Sequence, residues 1–462
     1  MTLKTVNALV SIRLTKTTRE RLTLVPLLAL YLLVVHVAAT PSLVNDEVGY
    51  VEYASRLAGH PSPAHDADPI LGRLWWGPGY PLILVPFLVL KIPWIAAKYL
   101  NAGFLFGAII YFYNLTRRYL PRPITLPATI LLGIYPPLMR ELPQLLTEPF
   151  VYLLICGFMF HFCALYNNAE RRGVNLAAAS LYLAYLAMTK VFFGYVIVTV
   201  LLLWLGCLLW RRTPSLRRAS VVFLLAFVWC LPYLTYTYSL TGRMFYWGSS
   251  GGLNLYWMST AYPNELGSWF GDSDVTTRRE LAPHREFFET LQGLSAVERD
   301  DALKRKAIYN ISQNPGKYAT NWAANVGRLL FSYPYSFTPQ TLRTYFFLLP
   351  NMFLVVLFVL SGIPAGLGPR RIPFEIWALL LFALIAIGGY TLLSADCRYF
   401  GPLVPVLWLW IGFIYVCVLR IDFRDKQDAL PNRGSTGRAL LPNDDEGSGK
   451  SNSSVCSRSV QT

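Results

Sequence analysis

The segment "RLTLVPLLALYLLVVHVAATPSLVNDEVGY", residues 21–50, decides the fold class of this protein. Its apolar part, Leu22 to Thr40, is close to the roughly 20 residues that a helix needs to cross a bilayer. Two adjacent carboxylates, Asp46 and Glu47, follow a few residues later. Charged groups are costly beside hydrocarbon, so acids at this point indicate a functional site near the membrane surface.

The rest of the chain repeats the apolar pattern. Of its 462 residues, 54% are hydrophobic and 15% are charged, whereas soluble domains carry about 25% charged residues. The sequence predicts an all-α polytopic membrane protein of about 10 transmembrane helices, with outer-face juxtamembrane or re-entrant helices and one outer loop of roughly 100 residues. The spans are expected at 22–44, 94–114, 122–139, 147–167, 174–189, 191–210, 219–240, 342–365, 373–394 and 400–420.

The net charge of +15 comes largely from basic clusters around the apolar runs. Outside the basic N-terminus, the clusters are Arg117-Arg118, Arg171-Arg172, Arg211-Arg212, Arg217-Arg218 and Arg370-Arg371. Short loops rich in Lys and Arg face the cytoplasm in membrane proteins. The charge therefore marks topology and contact with anionic lipids, and nucleic acid is not an expected partner.

One apolar piece, "GYPLILVPFLVLKIP" at residues 79–93, is short and bounded by prolines. If it does not cross, all the basic clusters and both termini lie on one side of the membrane, as the positive-inside rule requires. It is therefore expected to be a re-entrant or interfacial segment on the outer face. The expected parts are a cytoplasmic N-terminus (1–21), a transmembrane catalytic module (22–240) with a first outer loop (45–93), a non-cytoplasmic loop domain (241–341), C-terminal transmembrane helices (342–420) and a disordered cytoplasmic tail (421–462).

This topology gathers several charged residues at the outer face, and each also has a simpler explanation. Asp46 suits the cap of an interfacial helix. Glu148, just before Pro149, suits the positive end of a helix dipole. Lys190 is explained as a lysine that extends to the interface, without a neighbouring acid. Arg398 is explained as a local ion pair with Asp396.

The order of the motifs adds information that no single motif carries. After the acid pair come "GPGYP" (77–81), "TEP" (147–149), "TK" (189–190), "LPYLTYTYSLTGRMFYWGSSGGLNLYWMS" (231–259), "NPGKYATNWAANVGRLL" (314–330) and "RYFGPLVP" (398–405). The set resembles the GT-C superfamily of integral-membrane glycosyltransferases, in particular the branch of aminoarabinose transferases and protein O-mannosyltransferase-like bacterial enzymes. The resemblance covers roughly residues 20–420. The chain departs from that pattern at Lys190, where arginine is usual, and at Cys397, where an acid is common.

The resemblance implies a polyprenyl-phosphate sugar donor and transfer to an acceptor on the non-cytoplasmic face, in a multi-pass protein of the bacterial inner membrane. The acceptor is a lipid, a polysaccharide or a protein. Asp46 matches the general base, and Glu148 matches a second acid that orients the acceptor or shares the base role. The phosphate is already a good leaving group, so the site needs cations rather than a general acid.

Direct displacement predicts inversion at the anomeric carbon. The cations predicted to bind the donor phosphate are Lys190, Arg398 and Arg73. The residues expected to line the substrate are Glu47, Tyr50, Tyr53 and Tyr399. No cofactor and no metal ion is implied.

Two other functions remain open from the sequence. A lipid-linked glycan flippase or transporter would use the carboxylates to couple ions, but transporters place such groups near the midplane of repeated halves. No internal repeat is present here. An O-antigen ligase-like or polymerase-like enzyme would instead use a lipid-diphosphate donor.

Overall fold

The computed structural model describes residues 16–60, 74–167 and 170–419. Helices and short connections make up these residues, and the one β-bridge recorded in them joins Tyr335 and Thr338. The predicted all-α membrane fold is therefore confirmed. Arg73 and the predicted tail, 421–462, lie outside the described residues.

The helices are numbered here in chain order. The first eleven are α1 (Lys16–Leu22), α2 (Val25–Ala38), α3 (Asp46–Leu57), α4 (Gly79–Val89), α5 (Trp94–Thr116), α6 (Arg122–Gly133), α7 (Pro136–Met139), α8 (Glu148–Asn167), α9 (Arg172–Thr189), α10 (Phe192–Trp210) and α11 (Pro214–Thr241). The others are α12 (Gly251–Met258), α13 (Asp272–Thr277), α14 (Arg285–Glu289), α15 (Ala296–Gln313), α16 (Pro315–Phe331), α17 (Leu342–Leu367), α18 (Phe374–Thr391) and α19 (Val404–Phe413), which continues as a π-helical turn, Ile414–Val418.

Eight helices in the described part of the chain are long and apolar enough to cross a membrane. They are Glu20–Ala38, Trp94–Thr116, Glu148–Asn167, Phe192–Trp210, Pro214–Thr241, Thr344–Leu367, Phe374–Thr391 and Cys397–Val418. Two predicted spans correspond to α6 and α9, which are not among the eight. Helix α6 has 12 residues and is about 18 Å long, well short of a 30 Å hydrocarbon core. The count of about ten stays a prediction.

Contacts between α2 and α5 settle how residues 79–93 run. At one end of the pair, the Arg21 guanidinium donates to the Asn114 side chain over 2.7 Å. At the opposite end, the Lys98 ammonium donates to the Thr40 carbonyl over 2.9 Å. The two helices are therefore antiparallel, and the segment between them starts and ends at the same end of the bundle. Helix α4, with 11 residues, is too short to span.

The basic clusters lie at the end of the bundle that carries Arg21. Tyr119, next to Arg117-Arg118, accepts a hydrogen bond from Asn167 over 2.8 Å and donates one to Glu375 over 2.9 Å. Asn167 lies just before Arg171-Arg172, and Glu375 lies just after Arg370-Arg371. That this end faces the cytoplasm stays a prediction of the positive-inside rule.

Residues 242–341 contain the helices α12 to α16, of 5 to 18 residues, at the opposite end, which is called the outer end below. They have an apolar core of their own, made by Leu253, Tyr256, Trp257, Phe270, Val275, Leu281, Phe288, Leu291 and Leu303. Ser295 begins α15 with a capping box completed by Glu298, and Pro315 begins α16 at a position where proline is favourable. The helical stretch therefore breaks at Asn314.

Candidate active site

Four charged side chains from distant parts of the chain meet at the outer end of the bundle. Asp46 begins α3, Glu148 begins α8, Lys190 lies in the turn between α9 and α10, and Arg398 lies just before α19. Arg398 Nη1 is 2.7 Å from Asp46 Oδ2, and its Nε is 3.9 Å from Glu148 Oε1. Lys190 Nζ is 2.7 Å from the same Glu148 oxygen. The charges alternate along this chain of contacts, which is called the charge chain below.

These contacts correct two expectations from the sequence. Lys190 does have an acidic partner, Glu148, which reaches it from another helix. Arg398 directs its guanidinium to Asp46 rather than to the adjacent Asp396. The Asp396 carboxylate accepts a hydrogen bond from the Arg398 backbone N–H over 3.0 Å instead, and so caps the turn.

Exposure divides the charge chain into an inner and an outer part. The Glu148 side chain is fully buried, while 31% of the Asp46 side chain and 24% of the Arg398 side chain are exposed. A buried carboxylate is tolerated only when it is paired. Lys190, at 15% exposure, and Arg398 supply those pairings. Asp46 and the two cations are therefore the members that a substrate at the outer end can reach.

The glycine motif at 77–79 supports the turn that carries Lys190. A Cβ atom on Gly77 would lie 1.9 Å from the Met188 carbonyl oxygen. The Tyr185 hydroxyl donates to the Gly79 carbonyl over 2.9 Å. The "GPGYP" segment thus packs against the end of α9, and a side chain at residue 77 would push the turn away.

Glu47 occupies a different environment from its neighbour Asp46. Its Oε2 accepts the Val44 N–H over 2.8 Å, and its Oε1 accepts the Leu145 N–H over 2.6 Å. Oε1 is also 2.9 Å from Lys98 Nζ, and both side chains are buried. These contacts tie α3 to α5 and to the loop before α8. They support a structural role for Glu47, which the sequence placed among the substrate-lining residues.

The predicted aromatic residues fall into two groups. Tyr399 lies beside the cations, with Lys190 Nζ 5.0 Å from the centre of its ring. Tyr50 and Tyr53 are 3% and 2% exposed. Tyr50 packs against Trp76 with 5.5 Å between the ring centres. Both tyrosines are therefore buried, and among the predicted aromatic residues Tyr399 is the one partly open to a substrate.

Helix α16 contributes residues that the sequence analysis missed. Asn325 donates to the Thr391 and Leu393 carbonyls over 2.9 and 2.6 Å, and its oxygen accepts the Ala395 N–H over 3.0 Å. Arg328 donates to the Ala395 carbonyl over 3.1 Å. Both side chains are buried. Together they hold the chain just before Arg398.

The contact of α16 with the segment before Arg398 does have a signal in the sequence, which is the helical spacing of its polar residues. Asn321, Asn325 and Arg328 share one face of α16 and are buried, whereas Ala319 and Ala323 on the opposite face are exposed. The polar face is thus turned into the protein, where it bonds to backbone groups.

Arg140 and Glu141 also lie beside the site and were not among the predicted site residues. Arg140 Nε is 3.5 Å from Glu141 Oε1, and Arg140 Nη1 is 3.5 Å from the Cys397 sulfur. Burial raises the pKa of the Glu141 carboxyl to about 7. Arg140 adds a third cation next to the segment that carries Arg398.

No group of three or more His, Cys, Asp or Glu residues that could hold a metal ion occurs in residues 16–60, 74–167 and 170–419. The predicted third phosphate ligand, Arg73, falls outside these ranges.

No protein-family model matches the chain, and no curated protein sequence matches it either. Three solved structures of an oligosaccharyltransferase from Archaeoglobus fulgidus match part of the fold. One is the archaeal oligosaccharyltransferase AglB in complex with an inhibitory peptide and a dolichol-phosphate, with 13% identity and a TM-score of 0.46 over 84% of this chain.

The apo form gives 13% identity and a TM-score of 0.48, and the form tethered to an acceptor peptide gives 14% and 0.44, each over 84% of this chain. The chain spans about half the length of these proteins, 50%, 50% and 49% respectively. Similarity at this level assigns no donor, acceptor or residue role.

Proposed function

We propose that this protein is a membrane glycosyltransferase that moves a sugar from a polyprenyl-phosphate donor to an acceptor hydroxyl at the outer end of the bundle. The observation that supports it is the charge chain, in which one accessible carboxylate, Asp46, lies against cations suited to phosphate. A donor that lives in the membrane suits a site at the membrane surface. The proposed location is the bacterial inner membrane.

The cations are suited to the leaving group. As the bond between the anomeric carbon and the phosphate oxygen breaks, its electron pair stays on the phosphate, which gains negative charge. Lys190 and Arg398 are placed to stabilise that charge. Arg398 Nε is buried and has no hydrogen-bond partner among the described residues. A phosphate oxygen would supply the missing acceptor.

Asp46 is suited to be the general base. The acceptor oxygen attacks the anomeric carbon from the face opposite the phosphate, so the product is inverted, and the hydroxyl proton passes to the Asp46 carboxylate. In this structure Oδ2 of Asp46 is bound to Arg398. When Arg398 turns to the donor phosphate, this oxygen becomes available to the proton. Donor binding therefore activates the base.

Glu148 has a supporting role in this proposal. It is fully buried and contacts both Lys190 and Arg398. It holds the two cations in place and keeps the cluster neutral. Glu148→Gln should therefore weaken donor binding as well as turnover. If Glu148 instead shared the general-base role of Asp46, the same variant would lower turnover alone.

A lipid-diphosphate donor is the second candidate, because Arg140 supplies a third cation near Arg398. The two candidates separate in one assay. The purified full chain is incubated with polyprenyl-phosphate sugar or with polyprenyl-diphosphate sugar, each with a lipid, polysaccharide or protein acceptor in turn, and the released lipid is identified. Release of polyprenyl phosphate, abolished in Asp46→Asn, supports the proposal. Release from the diphosphate donor alone supports the alternative. Movement of intact donor across reconstituted vesicles without cleavage would show a flippase and refute both.

A further inference from the structure

An apolar groove lies between three helices at the end of the bundle opposite the charge chain. Its volume is about 320 Å³. It is lined by Phe358, Val359, Gly362, Ala365, Gly366, Trp377, Leu380 and Trp410. Two glycines keep it open, because no atom lies within 4 Å of the position that a Cβ would take on Gly362 or Gly366. Trp377 and Trp410 form one wall, with 4.8 Å between their ring centres.

The groove runs inward from the end of α17. Gly366 is the residue before the helix ends at Leu367, and Phe358 is eight residues deeper. That separation corresponds to about 12 Å along the helix. Val359 and Leu367 are 65% and 85% exposed. This side of α17 therefore faces the hydrocarbon region, so the groove opens toward lipid.

Two arginines lie at the mouth of the groove. Arg370 and Arg371 follow α17 in a short 3-10 turn, and both are exposed. Arg371 Nη1 donates to the Val418 carbonyl over 3.2 Å. In the described part of the chain no carboxylate forms an ion pair with either arginine. Glu375, the acid next in sequence, is buried and accepts a hydrogen bond from Tyr119 instead.

We infer that this groove and the two arginines form a binding site for an anionic phospholipid. One acyl chain lies in the groove against the tryptophans, and the headgroup phosphate lies between Arg370 and Arg371. An apolar groove alone accepts any acyl chain. Arginines without a carboxylate partner among the described residues select for negative charge, and each cation near an anionic lipid surface contributes about 1 kcal/mol. The site is separate from the proposed glycosyl transfer.

The test uses the purified full chain in detergent, titrated with short-chain phosphatidylglycerol or phosphatidylcholine, with native mass spectrometry as the readout. We expect the wild type to bind phosphatidylglycerol roughly 30-fold more tightly than phosphatidylcholine, from two arginines. The double variant Arg370→Gln/Arg371→Gln should lose this preference. Gly362→Leu, which fills the groove, should weaken binding of both lipids.

The matched control is Arg211→Gln/Arg212→Gln, which removes two exposed arginines elsewhere at the same end of the bundle. It should leave the preference for phosphatidylglycerol unchanged. Equal binding of the two lipids by the wild type would overturn the inference. So would an equal loss of preference in both double variants, because the selectivity would then come from overall charge. A concentration-dependent dimer that Gly362→Leu abolishes would show that a second copy fills the groove.

Discussion

Asp46 and Glu47 are neighbours of similar chemistry, and the structure predicts opposite consequences for their amide variants. The Asp46 side chain is 31% exposed and pairs with a partly exposed arginine. A partly buried pair contributes more than the about 0–1 kcal/mol of an exposed pair and less than the about 3–5 kcal/mol of a fully buried one. Asp46→Asn should therefore fold, and its unfolding temperature should fall less than that of Glu47→Gln. Its turnover should fall by about 10²–10⁴-fold, the usual contribution of a positioned general base.

Glu47→Gln should show the reverse pattern. The side chain is fully buried, and it accepts two backbone N–H groups besides its contact with the buried Lys98. Removing one partner of a buried ion pair costs about 3–5 kcal/mol. The amide NH₂ also cannot accept a backbone N–H, so one of the two amides loses its acceptor. The variant should unfold at a distinctly lower temperature.

The assay measures both properties on the same preparations. Thermal unfolding in detergent gives the stability, and single-turnover release of polyprenyl phosphate at a temperature where all variants are folded gives the chemistry. Folded Glu47→Gln should retain turnover within about tenfold of the wild type, since no general base is lost. Near-normal turnover of folded Asp46→Asn would show that Asp46 forms an ion pair and is not the general base. An unchanged unfolding temperature for Glu47→Gln would refute the buried-pair reasoning.

Arg398→Lys should lower the single-turnover rate by about 10²-fold and weaken donor affinity less. An ammonium cannot reproduce the two parallel hydrogen bonds of the guanidinium as negative charge develops on the phosphate. Unchanged values in both measurements would remove Arg398 from the site. Asn325→Leu should lower kcat by up to about 10²-fold, because it releases the chain before Arg398. The control, Asn321→Leu, loses bonds to the Met258 and Thr260 carbonyls instead and should lower stability with little change in kcat. Equal losses of kcat in the two variants would argue against a positioning role for Asn325. Burial raises the pKa of Glu141 from 4.5 to about 7. The stability that this carboxyl contributes is therefore fully present below pH 4.5 and is lost as the pH rises through about 7. The total loss in the free energy of unfolding is roughly 3 kcal/mol. Unfolding temperatures measured from pH 5 to pH 8 should therefore fall more steeply in the wild type than in Glu141→Gln, and parallel curves would contradict the assignment.

The overall architecture could be predicted because its signals are local. Apolar runs and arginine pairs depend on residues that are adjacent in the chain, and the structure gathers those pairs at one end of the bundle. The positive-inside rule likewise predicted that residues 79–93 do not cross, and the antiparallel contact of α2 with α5 agrees. Helix α6 shows the limit, because the apolar stretch is interrupted before Pro136, where a new short helix begins, and α6 itself has only 12 residues.

The partners of the charged residues could not be predicted, because they come from distant segments. Nothing near Lys190 in the sequence indicates that Glu148 reaches it. Asp46 and Glu47 are adjacent, and successive residues of a helix point about 100° apart. Which of the two turns inward depends on Lys98 and on the Leu145 N–H, and neither has a local signal. The spacing of Asn321, Asn325 and Arg328 indicates a polar face on α16, but it does not indicate which backbone groups that face bonds to.

The balance of charge couples proton transfer to departure of the donor phosphate in the proposed site. Asp46, Glu148, Lys190 and Arg398 form two opposite-charge pairs, so the cluster is neutral as a set. A donor phosphate brings one negative charge, and it gains a second when its bond to the anomeric carbon breaks. Asp46 loses its own charge in the same step by taking the acceptor's proton, so the net charge of the site does not change. A neutral Asp46 no longer competes with the phosphate for Arg398, which predicts that proton transfer and cleavage of the donor bond occur together.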